Sequence, residues 1–250
     1  MTVVLVHGNP ESDAIWDALR QHLGRNDVVA LSPPGFGAPV PAGFSATSDA
    51  YAAWLAEELE RLDGPIDLIG HDWGGGHVCR VVASRPELVR SWATDIAGCF
   101  DPAYVWHELA QVWQTPGAGE AAIEQQLAVP RAQRAAFFQG LGMSAEAAER
   151  CAAAFSADMG RCILALYRSA AQPTMAEWGA ALAAPLRSRP GLVIIPTEDH
   201  YTGGETLARR TAERWGAQVT VLDGLGHWWM CQDPRRGAEA IGGFLNGLEG

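Results

Sequence analysis

Short apolar runs alternate with helical patterns along most of the chain, and this alternation constrains the fold more than any other feature. Residues Ile15, Leu19 and Leu23, for example, recur at the spacing of one helix face. Short apolar strands separated by helices are typical of a parallel sheet that is covered on both faces. The strands predicted in this way are Val3–Val6, Val28–Leu31, Ile66–Ile69, Trp92–Ile96, Leu192–Ile195 and Val219–Leu222.

The helical patterns have recognisable ends. Ser48 is predicted to cap a helix that runs to Leu62, and another helix is predicted after Gly74. Near the C-terminus the pattern predicts helices over Glu205–Trp215 and from Pro234 to about Leu248. Together with the strands they predict an α/β fold in which chemistry gathers at the carboxyl ends of the strands.

One long stretch lacks any strand pattern. From about Cys99 to Arg189 only helix signals occur, among them the apparent capping box that Thr174 forms with Glu177. Such a block between two strands of one sheet is predicted to be an inserted helical cap, part of whose aromatic and aliphatic side chains line a pocket. The predicted division is 1–98 and 190–250 for the core and 99–189 for the cap.

Composition excludes several classes of function. The net charge of −11 disfavours nucleic acid as a partner. All 18 basic residues are arginines, so neither a Schiff-base lysine nor a phosphate-binding Walker lysine is available. The five cysteines are odd in number and lack a paired motif, which favours free thiols in a reducing compartment.

The sequence also predicts where the protein works and what it contacts. Met1 leads directly into the first apolar strand without a basic leader, and no apolar run approaches the ~20 residues of a membrane span. We therefore expect a soluble, cytoplasmic protein without membrane contact. No cofactor motif occurs, and a monomer and a homodimer are both compatible with the sequence.

The run from Gly70 to Gly74, GHDWG, follows a predicted buried strand and precedes a predicted helix. Glycines on both sides of Asp72 indicate a turn too tight for side chains. The motif has the form of the nucleophile elbow G-x-S-x-G, with Asp72 in the place of the serine. Such a five-residue pattern is weak by itself, but its position after a strand favours a functional role.

Two further motifs occupy corresponding places. Strand Val3–Val6 ends in HGNP, which contains Asn9, and strand Val219–Leu222 is followed by GLGH, which ends in His227. A nucleophile, then an acid, then a histidine is the chain order of the G-x-S-x-G hydrolases. A structural loop histidine would be an equal alternative for His227 alone, but the three elements in order favour catalysis.

On these motifs the chain resembles the α/β-hydrolase superfamily, and most of all its aspartate-nucleophile branch, the epoxide hydrolases and haloalkane dehalogenases. The resemblance implies an α/β-hydrolase fold with Asp72 as the nucleophile and His227 as the base. It also implies an oxyanion hole made by the backbone N–H groups of Asn9 and Trp73, worth ~3–4 kcal/mol per donor.

The chemistry explains why an aspartate fits this position. A carboxylate that attacks an ester carbonyl forms an anhydride, whereas attack on a saturated carbon bearing a halide or an epoxide oxygen forms an ordinary ester. Water deprotonated by His227 would then hydrolyse that ester at the Asp72 carboxyl carbon.

The third member of the triad has three candidates. The resemblance favours Asp199, which follows the strand that ends at Ile195. Its neighbour Glu198 could take the same place, and Asp95 matches the position used in one dehalogenase subgroup. Asp199 is our prediction, with Asp95 as the main alternative.

The expected substrate is a small apolar organic molecule that reacts with water. The resemblance leaves open whether this molecule is an epoxide or an alkyl halide. Tyr167 with the arginine after it resembles the tyrosine–arginine pair of the epoxide hydrolase cap, and HGNPES and WQTPG resemble two other motifs of these enzymes. However, Leu109 stands where the second cap tyrosine is expected, so His107 or Tyr104 would have to substitute, or Tyr167 would act alone.

Two other functions remain open. In a haloalkane dehalogenase, Asn9 and Trp73 would bind the leaving halide, and Tyr167 would be a packing residue. In a non-catalytic small-molecule binder of the same fold, the base would have no purpose. Epoxide hydrolysis is the preferred prediction.

The remaining histidines do not indicate a metal. The spacing of His71, His77 and His200 relative to Asp72 and Asp199 matches no pattern of metal ligands. We predict no metal site, and we interpret His71 as a packing residue of the elbow.

Overall fold

The computed structural model describes residues 1–248, and a six-stranded parallel sheet forms its centre. The strand order is β2-β1-β3-β4-β5-β6, so the chain builds outward from β1 in one direction and then in the other. The strands are β1 (Thr2–Val6), β2 (Val28–Leu31), β3 (Ile66–Gly70), β4 (Val89–Thr94), β5 (Gly191–Pro196) and β6 (Gln218–Leu222). All six predicted strands exist, with ends that differ by up to three residues.

Helices fill the connections and the C-terminus. Those of the core are α1 (Asp17–Leu23), α2 (Ser48–Glu60), α3 (Trp73–Ser84), α11 (Gly204–Trp215), α12 (Trp229–Gln232) and α13 (Pro234–Asn246). Those between β4 and β5 are α4 (Glu108–Gln114), α5 (Ala118–Ala128), α6 (Arg131–Gly140), α7 (Ala145–Ala154), α8 (Ala157–Ser169), α9 (Thr174–Ala181) and α10 (Ala183–Leu186).

The first strand shows why the sheet is covered on both faces. Val4 and Val6 belong to one buried apolar cluster, and Val3 and Leu5 belong to another. Successive side chains of a strand point to opposite faces, so a strand that is apolar throughout buries both. Helices α2 and α3 pack in the first cluster, and α1 and α13 pack in the second.

All the regular elements between β4 and β5 are helices, and this segment contains no strand. Its helix α8 contributes Ile163, Leu166 and Tyr167 to the same buried cluster as the sheet. The boundaries 99–189 remain a prediction, and the predicted core segment 190–250 ends two residues beyond the described range. Within the described residues no helix is long and apolar enough to cross a bilayer.

Two predicted helix caps are wrong. The side chain of Thr47, rather than Ser48, accepts the N–H of Ala50 at 3.3 Å, so Ser48 is the first residue inside α2. Thr174 likewise lies inside α9, after Pro173, and makes no capping hydrogen bond. In both places the helix includes the residue that was expected to precede it, a difference of one position at the helix end.

The predicted fourth strand is also shifted. It was expected over Trp92–Ile96, but β4 ends at Thr94. Asp95 therefore lies immediately beyond the strand, and its side chain reaches the elbow that follows the neighbouring strand β3.

Candidate active site

Asp72 lies in the sharp turn between β3 and α3. Its backbone has φ 49° and ψ −131°, a region that side-chain-bearing residues adopt at a cost of about 1–3 kcal/mol. The flanking glycines are required by packing, since a Cβ on Gly74 would overlap the backbone of Val6 and one on Gly70 would overlap the backbone of Gly75. The turn therefore holds the Asp72 side chain away from the sheet.

The carboxylate of Asp72 is buried and faces a backbone amide. Its Oδ2 accepts the N–H of Asn9 at 3.0 Å. Burial raises the pKa of Asp72 to about 6, although the neighbouring His227 and His71 act in the opposite direction. Trp73 begins α3, so its N–H is one of the amides that have no partner within the helix.

His227 and Asp199 form a buried pair beside this carboxylate. Nδ1 of His227 lies 2.8 Å from Oδ2 of Asp199, whose other oxygen accepts the N–H of Tyr201 at 2.8 Å. Burial alone would lower the pKa of His227, but the charge of Asp199, the hydrogen bond to it and the charge of Asp72 together outweigh burial, so the net direction is upward. The pKa of Asp199 is lowered, because His227 outweighs the effect of burial.

The two alternative acids lie elsewhere. Glu198 is exposed, and its backbone N–H donates to Leu225. Asp95 contacts a different histidine, with its Oδ2 2.5 Å from Nδ1 of His71. Of the three candidates, only Asp199 reaches His227.

His71 and Asp95 form a second buried pair directly beneath the elbow. Oδ1 of Asp95 accepts the backbone N–H of Asp72 at 3.0 Å, and Oδ2 also accepts Nε1 of Trp229 at 2.8 Å. On the other side of the ring, Nε2 of His71 lies 3.4 Å from Glu11. Trp228 also donates its Nε1 hydrogen to Glu11.

This second pair is the part of the site that the sequence did not predict. Glu11 and Asp95 are nearly inaccessible to solvent, and a buried carboxylate requires partners. His71 is therefore more than the packing residue we predicted, since it links the two carboxylates and helps to hold the elbow through Asp95. The one signal of this pair in the sequence was Asp95, an acidic residue at the end of an otherwise apolar predicted strand.

A cavity of about 160 Å³ opens over Asp72 and His227. Tyr167 of α8 is buried in its wall and packs edge-on against Trp73, with ring centroids 5.2 Å apart. Burial and then the charge of Asp72 raise the pKa of Tyr167 well above its usual value, so its hydroxyl keeps its proton. The lining is formed by Asn9, Pro10, Asp72, His107, Leu109, Trp113, Gln126, Phe137, Tyr167, Tyr201, His227 and Trp228.

The two residues that could replace the missing second tyrosine differ in position. Tyr104 donates its hydroxyl to the carbonyl of Tyr201 at 2.7 Å, so that proton is already engaged. His107 lines the cavity, and its Nδ1 accepts the N–H of Ala110 at 3.2 Å as the cap of α4. Burial lowers the pKa of His107 to about 4, which leaves its ring neutral.

One group of side chains has the proximity of metal ligands. Glu11, His71 and His227 each offer an atom within 4.8 Å of the others. A metal there would occupy His227 and would compete with the close contacts of His71 to Asp95 and Glu11, so we interpret the group as a hydrogen-bonded cluster. The other histidines lie outside it: His77 stacks on Tyr51 at 4.8 Å, and His200 is exposed.

The model of the alpha/beta hydrolase family matches residues 3–240. The chain belongs to this family. The superfamily resemblance and the fold predicted from the sequence are thereby confirmed.

Several solved structures share the fold. A loop variant of the haloalkane dehalogenase DbeA from Bradyrhizobium elkanii has a TM-score of 0.77 at 20% identity, over 99% of this chain and 90% of that one. NosK from Streptomyces actuosus has a TM-score of 0.72 at 24% identity, over 100% of this chain and 99% of NosK. At these identities the likeness shows the fold alone.

One curated protein is similar in sequence over a shorter stretch. Lipase LipV from Mycobacterium tuberculosis is 34% identical over 88 residues. These residues make up 35% of this chain and 33% of the lipase, so the match spans about a third of each protein.

Proposed function

We propose that this hydrolase opens epoxides to diols through a covalent ester on Asp72. The observation that carries the proposal is that the Asp72 carboxylate and the protonated Tyr167 hydroxyl line the same small cavity. A carboxylate supplies the nucleophile that a saturated carbon requires, and a phenol supplies the proton that a departing alkoxide requires.

In the first step an oxygen of Asp72 attacks a ring carbon, and the carbon–oxygen bond of the epoxide breaks. The electron pair goes to the ring oxygen, which takes its proton from Tyr167. The products of this step are a neutral hydroxyalkyl ester on Asp72 and a tyrosinate, which is later reprotonated from solvent or from the imidazolium formed in the second step.

In the second step His227 removes a proton from water, which attacks the carboxyl carbon of Asp72. The negative charge that develops on the carboxyl oxygen lies where the N–H of Asn9 now meets Oδ2. Collapse of this intermediate breaks the bond between the carboxyl carbon and the ester oxygen. That oxygen takes the proton of the newly formed carboxyl group, so the diol leaves, Asp72 regains its charge, and the proton on His227 returns to Tyr167 or to solvent. The ester itself carries no charge, so the smaller contribution of Asp72 to the pKa of His227 is absent when the base is needed, whereas that of Asp199 remains.

The test of the covalent step is isotopic. A single turnover in heavy-oxygen water should place the label in Asp72, seen by peptide mass spectrometry, and should leave the first diol unlabelled. Label in the first diol would mean that water attacks the epoxide directly, and the covalent scheme would then be wrong.

Haloalkane dehalogenation is the second candidate, and a specific observation favours it. Both polar atoms of the Asn9 side chain are buried, and among residues 1–248 its amide group has no partner other than the nearby Tyr167 hydroxyl. A halide leaves as a weak base that needs only N–H donors, which Asn9 and Trp73 could provide.

Two variants distinguish these reactions. For an epoxide hydrolase, Tyr167→Phe should slow formation of the ester by about 10²-fold or more, whereas Asn9→Ala costs less because its backbone N–H remains. For a dehalogenase, the order is reversed. Rapid-mixing measurements with an epoxide and with a bromoalkane decide between them, and a silent Tyr167→Phe with the epoxide would refute our first choice. A protein that binds both molecules but forms no ester would be a binder.

A further inference from the structure

A second apolar cavity lies next to the one above Asp72. We call it the side groove; it encloses about 270 Å³ and shares Pro10, Gln126 and Phe137 with the catalytic cavity. Phe138 and Phe155 extend it between the cap helices α6 and α7. These shared residues place the two cavities side by side.

Exposed apolar side chains are concentrated around these two cavities. Of the seven large apolar side chains exposed in residues 1–248, four border the catalytic cavity or the side groove: Leu109, Val129, Phe137 and Tyr201. Phe137 is 57% exposed although it borders both. Contiguous apolar surface of this kind marks a binding site more often than single exposed residues do.

The size of the catalytic cavity limits what it can hold. A cavity of about 150 Å³ accommodates a molecule the size of benzene, so about 160 Å³ encloses a reactive head and little more. Any larger substrate must extend beyond this cavity. The side groove, across Phe137, offers apolar surface where an extension would be removed from water.

The charge of the groove selects the kind of extension. Arg134 lies in its wall, but its guanidinium already donates to the carbonyls of Gln126, Val129 and Ala152 and packs over Phe155 at 4.5 Å. Its donors are therefore directed at the backbone, and the groove favours an uncharged tail over an anionic one. The buried side-chain oxygen of Gln126 has no partner among residues 1–248 and can accept a hydrogen bond from water that accompanies the ligand.

We propose that the side groove binds the apolar, uncharged tail of an elongated substrate whose reactive carbon faces Asp72, with Phe137 in contact with both parts. Only the nature of the reactive head rests on the proposed function. The tail site rests on the two cavities and the exposed side chains between them.

The test uses a series of terminal epoxides from 1,2-epoxybutane to 1,2-epoxydodecane, below their solubility and micelle limits. We expect kcat/KM to rise about two- to fourfold per methylene, mainly through KM, until the groove is filled. Phe137→Ser and Val129→Asp should flatten this rise. Val105→Ser is the matched control, since Val105 is 75% exposed and borders neither cavity.

A binding arm separates the groove from the chemistry. Calorimetric affinities of the corresponding 1,2-alkanediols should show the same dependence on chain length in the wild type and lose it in Phe137→Ser. If no epoxide reacts but the diols behave in this way, the groove is supported and the proposed function fails. If affinity for the diols is independent of chain length, or Phe137→Ser keeps the full dependence, the groove is wrong whatever the reaction.

Discussion

The molecule contains two buried histidine–aspartate pairs whose imidazole rings lie only 4.5 Å apart, and they differ in what the second ring nitrogen meets. In both pairs an aspartate that follows a strand contacts Nδ1 of a histidine, Asp199 at 2.8 Å and Asp95 at 2.5 Å. His227 lines the catalytic cavity, whereas Nε2 of His71 faces the carboxylate of Glu11.

This difference favours the proposed role of a base for His227 and a structural role for His71. Burial by itself would lower the pKa of His71, but Asp95 and Glu11 outweigh it and raise that pKa well above the ordinary value. His71 therefore stays protonated and cannot accept a proton near neutral pH. His227 has one close carboxylate and an open side, so it can exchange a proton with a water in the cavity. What distinguishes the two histidines is therefore the group that faces Nε2, rather than the aspartate that contacts Nδ1.

Removing each imidazole should give the largest contrast. We expect His227→Gln to reduce turnover by about 10⁴-fold and to accumulate the Asp72 ester as a mass adduct, since only its hydrolysis needs the base. His71→Gln should retain turnover and show no adduct. Steady-state rates and intact-protein mass spectrometry measure both. A His227→Gln protein that binds substrate without turnover and without an adduct would contradict the assignment.

Changing each aspartate should separate rate from stability. Asp199→Asn should cost about 10³- to 10⁴-fold in rate, because His227 loses the partner that orients it. Asp95→Asn should instead lower the free energy of unfolding by about 3–5 kcal/mol, because it breaks a buried ion pair. Urea unfolding and kcat of the folded protein test this. An Asp95→Asn protein of unchanged stability and greatly reduced rate would place Asp95 in the triad instead.

Asp72, the proposed nucleophile, should lower the free energy of unfolding at neutral pH. Raising the pKa of Asp72 from 3.8 to about 6 means that its ionisation costs the folded state about 3 kcal/mol. The favourable contribution of the protonated form is complete below pH ~4 and is lost as the pH rises through ~6. Asp72→Asn should therefore raise the melting temperature at pH 8 and leave it almost unchanged at pH 4, as calorimetry would show. Equal effects at both pH values would contradict the raised pKa.

The smallest effect concerns the charge of His71. The charged groups around His227 are Asp199 and Asp72, which raise its pKa, His71, which lowers it, and Glu11, which also interacts with it; neutral His107 faces it as well. His71→Gln should therefore raise the pKa of His227 and move the acid limb of ester hydrolysis to higher pH. His77→Gln controls for the loss of a buried histidine outside the site. An unchanged acid limb in His71→Gln would leave His71 with a purely structural role.

The sequence was sufficient for the fold and for the positions of Asp72 and His227, because both depend on local patterns. Each lies in a short motif directly after an apolar strand, and parallel strands bring their carboxyl ends to one edge. The choice of Asp199 over Asp95 came from a resemblance. The strand pattern alone could not distinguish them, since both aspartates follow strands and the directions of their side chains depend on where β4 and β5 end.

The buried cluster beneath the elbow could not be predicted, because its members come from three separate places in the chain: Glu11, His71 and Asp95. Their burial and mutual distances appear only once the sheet is assembled. The helix caps failed for a different reason. Neighbouring serine and threonine residues cap equally well, so the choice of Thr47 over Ser48 depends on the path of the chain before α2.

The strand order has a consequence for how such a protein can change. The proposed nucleophile, base, acid and oxyanion donor all follow strands of the sheet: Asp72 follows β3, His227 follows β6, Asp199 follows β5 and Asn9 follows β1. Tyr167 and Phe137 come from the helices inserted between β4 and β5. An exchange of that one segment would therefore change the leaving group and the substrates that the site accepts. The residues that follow the strands, and with them the proposed reaction cycle, would be unchanged.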